Sequence, residues 1–422
     1  MTQVYKFGGA SIASPGRMRA LLPIIRSAQD PLVIVVSAYG KTTNALEEIV
    51  WTVIKNDRQA AMAYAQKIEQ AHWDYAREVL SPEAFALCEP ALNGFFTELH
   101  WAMDDIEGRS LDFVYDQVVG IGELLSTTIF AAFLNDSGLP VVWQDARDII
   151  RTDDCYRDAR VDELITGQQI KEKIAPLIKA GKIVVTQGFI GSTDYNATTT
   201  LGREGSDYSG ALLAAMLPAG SLSIWKDVEG LMNADPRQFK NVQKIPEITF
   251  HEVIEMAFYG AQVIHPKTIK PLHNAGIPLK VKCFLKPEVP GTLIHQAEAE
   301  IPYPPLIVLK EEQTLLQITS RDFSFINEGN LSRLYQVFNS HQLKINMIQN
   351  AAISVVVVVN NIPNRISPLI ETLEKDYKVL RNDHQQLLTV RHYNDGLLNQ
   401  LTKDKKIILT QKTRQTIQMV LE

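Results

Sequence analysis

Cysteine is scarce in this chain: three among 422 residues, Cys88, Cys155 and Cys283, with no CxxC pair. Such a sparse, odd set builds neither a disulfide framework nor a paired-cysteine zinc site, so buried free thiols and no protein-held metal are expected. Long apolar runs are missing as well. None approaches the ~18 residues that a membrane span needs, and the opening MTQVYKFGGASIASPG lacks the charged-then-apolar layout of a signal peptide. No membrane partner is expected, and the reading places the protein in the cytoplasm. An excess of positive charge is also lacking. Lys and Arg total 42 against 48 Asp and Glu, a net charge of −6, which argues against nucleic acid as a partner. What is present is ordinary for a folded chain, 45% hydrophobic and 21% charged residues. Its length fits about two to four domains.

Up to about residue 300, strand-like runs alternate with helical patterns. Val4 to Phe7 precedes a helical Met18 to Ser27, Leu32 to Val36 follows, and further strands are expected near Val141, Ile183 to Thr186, Leu222 to Trp225 and Leu279 to Cys283. Such alternation predicts an α/β domain with a mainly parallel sheet. Between Thr43 and Ala132 the pattern is almost wholly helical, as in the spacing of Leu46, Ile49, Val50 and Val53. A break follows at AEIPYPP, Ala299 to Pro305, where clustered prolines favour extended chain. A first domain over 1–302 is expected to end there. Beyond it the order is strand Leu315 to Thr319, helix Leu331 to Ser340, strands Ile345 to Gln349 and Ser354 to Asn360, helix Ile366 to Tyr377 and strand Lys378 to Arg381. That β-α-β-β-α-β order is ferredoxin-like and fills 306–382. SVVVVVN, residues 354–360, is apolar without alternation, so both of its faces should be covered or it should pair across a subunit interface. Residues 383–422 supply further strands, around Leu387 to Arg391, Ile407 to Gln411 and Thr416 to Leu421, and read as a partial second unit.

Chemistry-bearing residues gather where strands end. Lys6 leads into Gly8 and Gly9, and glycines there let backbone N–H groups approach an anion. The next strand ends in Ser37, followed by Gly40, Lys41, Thr42 and Thr43. GFIG at 188–191 precedes TTTLGREGSD at 198–207, whose Ser206 or Asp207 would suffice as a helix N-cap, although three threonines, Arg203 and two glycines then stay unexplained. WKDVEGLMNADPR, 225–237, is a fourth strand end, and its DPR is also compatible with simple turn chemistry. Glu123 follows a glycine pair near a helix start, where a carboxylate complements the dipole. His265 reads as a structural residue at the end of a helix.

Taken together, KFGGAS, VVSA with Thr43 and Asn44, the Gly122-Glu123 pair, GFIG with TTTLGREGSD, and WKDVEG with DPR resemble the set that marks aspartokinases within the amino acid kinase superfamily. The carboxyl-terminal unit is similar to the ACT regulatory domain that follows the kinase domain in that family. The resemblance implies a three-layer αβα sandwich followed by a ferredoxin-like ACT domain, in a monofunctional enzyme. The implied reaction transfers a phosphoryl group from ATP, with Mg2+ held mainly by the nucleotide phosphates, to the side-chain carboxylate of L-aspartate, which opens lysine, threonine and methionine synthesis. The acceptor is already ionised near neutral pH, so no general base is needed, and charge neutralisation with positioning must do the catalysis.

By the same resemblance Lys6 and Asp207 are the catalytic pair. Ser37, Thr43, Glu123, Arg203 and Ser206 surround aspartate, with Glu123 on its ammonium and Arg203 on its α-carboxylate. Lys6, Gly8, Gly9, Lys226, Asp227, Met232 and Arg237 line the nucleotide site, and Asn330 and Asn346 stand where an amino-acid effector would bind. The chain departs from the family pattern in carrying Glu204 for glycine, Lys226 for threonine, Gln262 for lysine and Asn346 for aspartate. Lys226 is expected to replace the charge missing at Gln262. A homodimer or larger even oligomer is expected. The alternatives are a catalytically impaired amino-acid-sensing regulator and another small-molecule kinase of the superfamily.

Overall fold

The computed structural model describes residues 1–261, 264–297, 299 and 301–422. The expectation that rests on Gln262 therefore lies outside the described residues. The chain forms two compact units, one made of Met1–Leu231, Pro246–Ile254 and Val263–Ile301, the other of Met232–Ile245, Glu255–Gln262 and Pro302–Glu422. Each is taken by itself below.

The first unit is built on an eight-stranded sheet in the order Glu247–Thr249, Thr292–His295, Leu279–Cys283, Ser221–Lys226, Gln3–Phe7, Leu32–Val36, Ile183–Gln187, Val141–Gln144. From Leu279–Cys283 to Val141–Gln144 every pairing is parallel. The LVIVV of Leu32–Val36 is buried throughout, as a strand covered on both faces must be. Side chains on Gln3–Phe7 alternate between the layers. On one face the helix Gly205–Met216 comes so close that a Cβ at Gly210 would lie 3.7 Å from the Lys6 Cβ. On the other face Phe7 packs against Phe130 of the helix Ile121–Asp136. These contacts make the expected three-layer αβα sandwich. Helices start where polar side chains cap them: Ser14, Asp57, Ser81, Ser110 and Asp162 each accept first-turn backbone N–H groups. Among the described residues one helical stretch, Leu111–Asp136, is long and apolar enough to cross a membrane, but 83% of its apolar window is buried in the fold. Cys88 and Cys283 are buried, whereas Cys155 is exposed, contrary to the expectation for it, because it lies in a solvent-facing turn beside Asp153.

The second unit is a six-stranded antiparallel sheet in the order Ile345–Asn350, Ser354–Asn360, Leu306–Ser320, Tyr377–Arg391, Thr416–Leu421, Ile407–Lys412. Two of its strands are far longer than the sequence suggests. Leu306–Ser320 and Tyr377–Arg391 pair along their whole lengths, with a register break between Lys310 and Gln313. A second shift follows between Gln313 and Leu315; Glu312 at the first and His384 at the second both have positive φ, and the His384 Nδ1 lies 2.9 Å from a Glu312 carboxylate oxygen. The back half of Leu306–Ser320 and the front half of Tyr377–Arg391, with the helices Glu328–Ser340 and Pro363–Leu373, make the expected ferredoxin-like unit.

Their other halves belong to a second such unit. Residues 306–310 pair with 387–391, which pair with Thr416–Leu421, which pairs with Ile407–Lys412. This is the same strand order, with the helix Asp395–Leu401 after its first strand and its last strand supplied by residues 306–310, which come earlier in the chain than the other three. Sequence position hid this, because that strand precedes its partners by a whole domain. A second helix would cover the remaining surface; Ala234, Phe239 and Val242 pack there instead. SVVVVVN lies inside the sheet and is covered on both faces: Val355, Val357 and Val359 beneath the helices, Val356 and Val358 against Leu315, Met347 and Val420.

Candidate active site

Four neighbouring parallel strands, Ser221–Lys226, Gln3–Phe7, Leu32–Val36 and Ile183–Gln187, end at one side of the sheet and open into a cleft of about 680 Å3. Lys6, Gly8, Gly9, Ser37, Thr43, Glu123, Arg203, Ser206, Asp207, Lys226 and Asp227 all line it. Eleven sequence positions chosen for their chemistry thus converge in one place, as ligand sites in parallel α/β sheets do.

At the centre, the Lys6 Nζ lies 2.6 Å from Asp207 Oδ1, and the Lys226 Nζ lies 3.8 Å from Asp207 Oδ2. Burial alone would raise the Asp207 pKa, but the charges of Lys6 and Lys226 outweigh it and hold the carboxyl below its ordinary value. Two ammonium groups are therefore anchored at the strand ends by one carboxylate. Gly9 is fixed by space: a Cβ there would collide with the Ala38 carbonyl oxygen. Gly188 is equally constrained, since its Cβ would lie 2.6 Å from that of Ser206. Neither Ser206 nor Asp207 caps the helix Gly205–Met216. The cap position is Glu204, in the left-handed conformation with φ 55 and without a side-chain bond to that helix. Its Oε2 instead accepts the His265 backbone N–H at 2.9 Å. His265 in turn begins the helix Pro266–Ala275, its Nδ1 accepting from the Lys267 N–H, and so starts a helix rather than ending one. Glu204 thereby spends its added charge on the first turn of a different helix.

Glu123 is 3% exposed, and its Oε1 accepts the Ala38 N–H at 3.3 Å. Its Oε2 is buried with no hydrogen-bond partner among the described residues. Burial pushes the carboxyl up to about 8, with the Ala38 N–H and the Lys6 charge pulling the other way. A buried carboxyl with an unused oxygen facing a cleft suits a cationic ligand group. Arg203 lies exposed at the rim, with no hydrogen bond or ion pair among the described residues. Phe189, Thr200 and Trp225, which lie within the GFIG, TTTLGREGSD and WKDVEG motifs, also line the cleft, as do Tyr115 and Arg157, which the sequence did not single out because nothing local in their segments marks a ligand site.

Met232 and Arg237 fall in the second unit, where Arg237 pairs with Asp235 at 2.7 Å. Asn330 and Asn346 are there too, each engaged within its own surroundings. Asn330 completes a capping box with Asn327. Asn346 accepts from the Lys310 Nζ at 2.9 Å and donates to Gln313 and Asn360. Burial, with Lys344 nearby, lowers the Lys310 pKa to about 8.

Residues 1–283 match the amino acid kinase family. The lysine-sensitive aspartokinase 3 of Escherichia coli K12 is 32% identical over 83% of this chain and 77% of its own length. A chloroplastic aspartokinase 3 of Arabidopsis thaliana is 30% identical over 92% of this chain and 71% of its own. Among solved structures, E. coli aspartokinase III in complex with aspartate and ADP superposes with a TM-score of 0.82 at 26% identity, covering 100% of this chain and 96% of that one. With the strand-end cleft and the paired lysines on Asp207, these similarities identify the chain as a member of the aspartokinases of the amino acid kinase family.

Proposed function

We infer that this chain transfers the terminal phosphoryl group of MgATP to the side-chain carboxylate of L-aspartate, giving 4-phospho-L-aspartate at the entry to lysine, threonine and methionine synthesis. The observation that carries this reading is the pairing, in one cleft, of an orphaned carboxylate oxygen on Glu123 with the Lys6–Asp207–Lys226 cluster. Glu123 receives the ammonium of the amino acid and Arg203 its α-carboxylate. Ser37, Thr43 and Ser206 complete the acceptor pocket. The backbone of Gly8 and Gly9, with Lys6 and Lys226, holds the phosphates, and Asp227 lies at the nucleotide end. We extend the nucleotide site to Met232 and Arg237 on the resemblance alone.

In the reaction, the acceptor carboxylate attacks without prior deprotonation. Asp207 fixes the Lys6 ammonium before substrate arrives, so no reorganisation is needed when charge spreads over the transferring group. Among the described residues no three His, Cys, Asp or Glu side chains converge as a metal site. Mg2+ carried by the nucleotide phosphates supplies the remaining neutralisation. We place the enzyme in the cytoplasm as a homodimer or larger even oligomer, with an amino-acid effector at the ACT region near Asn330 and Asn346.

The test is an acyl-phosphate trap: MgATP, L-aspartate and hydroxylamine with the purified chain. Hydroxamate that depends on both substrates is expected. Its absence from a folded preparation would sink the reading in favour of a catalytically impaired regulator.

A further inference from the structure

Arg157 is a cleft residue whose backbone and side chain make opposite demands. It has φ 69, the left-handed region, where an L side chain is strained. The conformation is imposed by Asp116. That carboxylate is wholly buried and accepts the Arg157 N–H on both oxygens, at 3.1 and 3.0 Å. It also accepts the Thr200 N–H and hydroxyl, each at 2.7 Å. Glycine would satisfy this turn without strain. An arginine side chain at the position is therefore not explained by the turn.

Nor is it explained by an internal ion pair. The guanidinium lies over the Tyr115 ring, 4.4 Å from its centroid, and 3.3 Å from Asp112, and both members of that pair are substantially exposed. Exposed pairs of this kind contribute little. Stacking on an aromatic face leaves the in-plane N–H groups of a guanidinium able to bind a planar anion. Arg157 and Tyr115 line the same cleft as Glu123 and Arg203. The two lysines there already face Asp207, and the substrate carries two carboxylates.

We propose that Arg157 is a second carboxylate-binding arginine for the amino-acid substrate, exchanging the exposed Asp112 for a substrate carboxylate while Asp116 holds its backbone. This rests on the aspartate kinase reading and adds to it a specificity residue. Arg157 selects for an acceptor that carries two anionic groups.

Steady-state kinetics of the full chain test it. Arg157→Gly meets the backbone demand, so its thermal midpoint should equal or exceed that of the wild type. Its KM for L-aspartate should rise about tenfold or more, with the KM for ATP within about twofold. Arg157→Lys, which keeps the charge but not the planar fork, should fall between the two. Asp112→Asn removes the competing carboxylate and should leave the KM for aspartate unchanged or lower. An aspartate KM within about twofold of wild type in Arg157→Gly, an equal rise for ATP, or a raised aspartate KM in Asp112→Asn overturns the proposal while the kinase reading stands. A wild-type chain that forms no hydroxamate removes both.

Discussion

Glu123 makes the most specific demand of any single side chain in the cleft. Its carboxyl is raised to about 8 by burial, which favours the protonated form near neutral pH. An ammonium ligand needs the carboxylate, and binding must then expel that proton. As pH rises from about 6 to 8, kcat/KM for aspartate is expected to climb, by at most about tenfold per pH unit. A flat profile across that window, or an unchanged slope in Glu123→Gln, would count against the assignment. The same group has a stability consequence of opposite sign. Its folded-state pKa lies above the ordinary carboxyl value of 4.5, so the ligand-free protein loses stability as pH rises from there toward 8. Lys6 differs in kind, because its charge matters most in the transition state. Lys6→Ala is expected to lower kcat by at least ~100-fold, and a folded variant losing less than about fivefold would end its catalytic role.

At the scale of elements, the glycines decide how closely backbone and helix meet. Gly188→Ala would put a methyl 2.6 Å from the Ser206 Cβ and push the helix Gly205–Met216 away from its strand. A destabilisation of roughly 1–3 kcal/mol is expected, read by thermal melting, together with a fall in kcat as Asp207 shifts relative to Lys6. Full activity at an unchanged midpoint would show that the close approach is dispensable. These strand ends were legible in the sequence because their signals are local: a buried run, a glycine, then hydroxyls and charges. What stayed hidden was non-local. Glu204 stood out only as a departure at a glycine position, and its partner, the His265 N–H, lies on another helix. Arg157, in a turn, gave no signal at all, since its strained φ comes from a carboxylate on the helix Leu111–Val119. The long strands likewise broke into short pieces in the sequence, because the breaks at Glu312 and His384 interrupt the apolar alternation without ending the pairing.

Among the described residues the six-stranded sheet of the second unit ends in two edge strands, Ile345–Asn350 and Ile407–Lys412. Unpaired edges invite pairing with another copy. A dimer or larger even assembly is expected by sedimentation at micromolar concentration, and a monomer there would refute it. The strands shared between the two ferredoxin-like units also bear on how this sheet comes into being. During synthesis Leu306–Leu309 leaves the ribosome well before its partners near Arg391, and those wait in turn for Thr416–Leu421. Until then the sheet lacks neighbours that only later chain can bring, and its apolar Ile307 and Leu309 have nothing to close on. Such delayed, long-range pairing is slow and exposes sticky surface to other nascent chains. Newly made protein should therefore lean on chaperones late in translation, at a stage when much of the kinase unit's chain has already emerged.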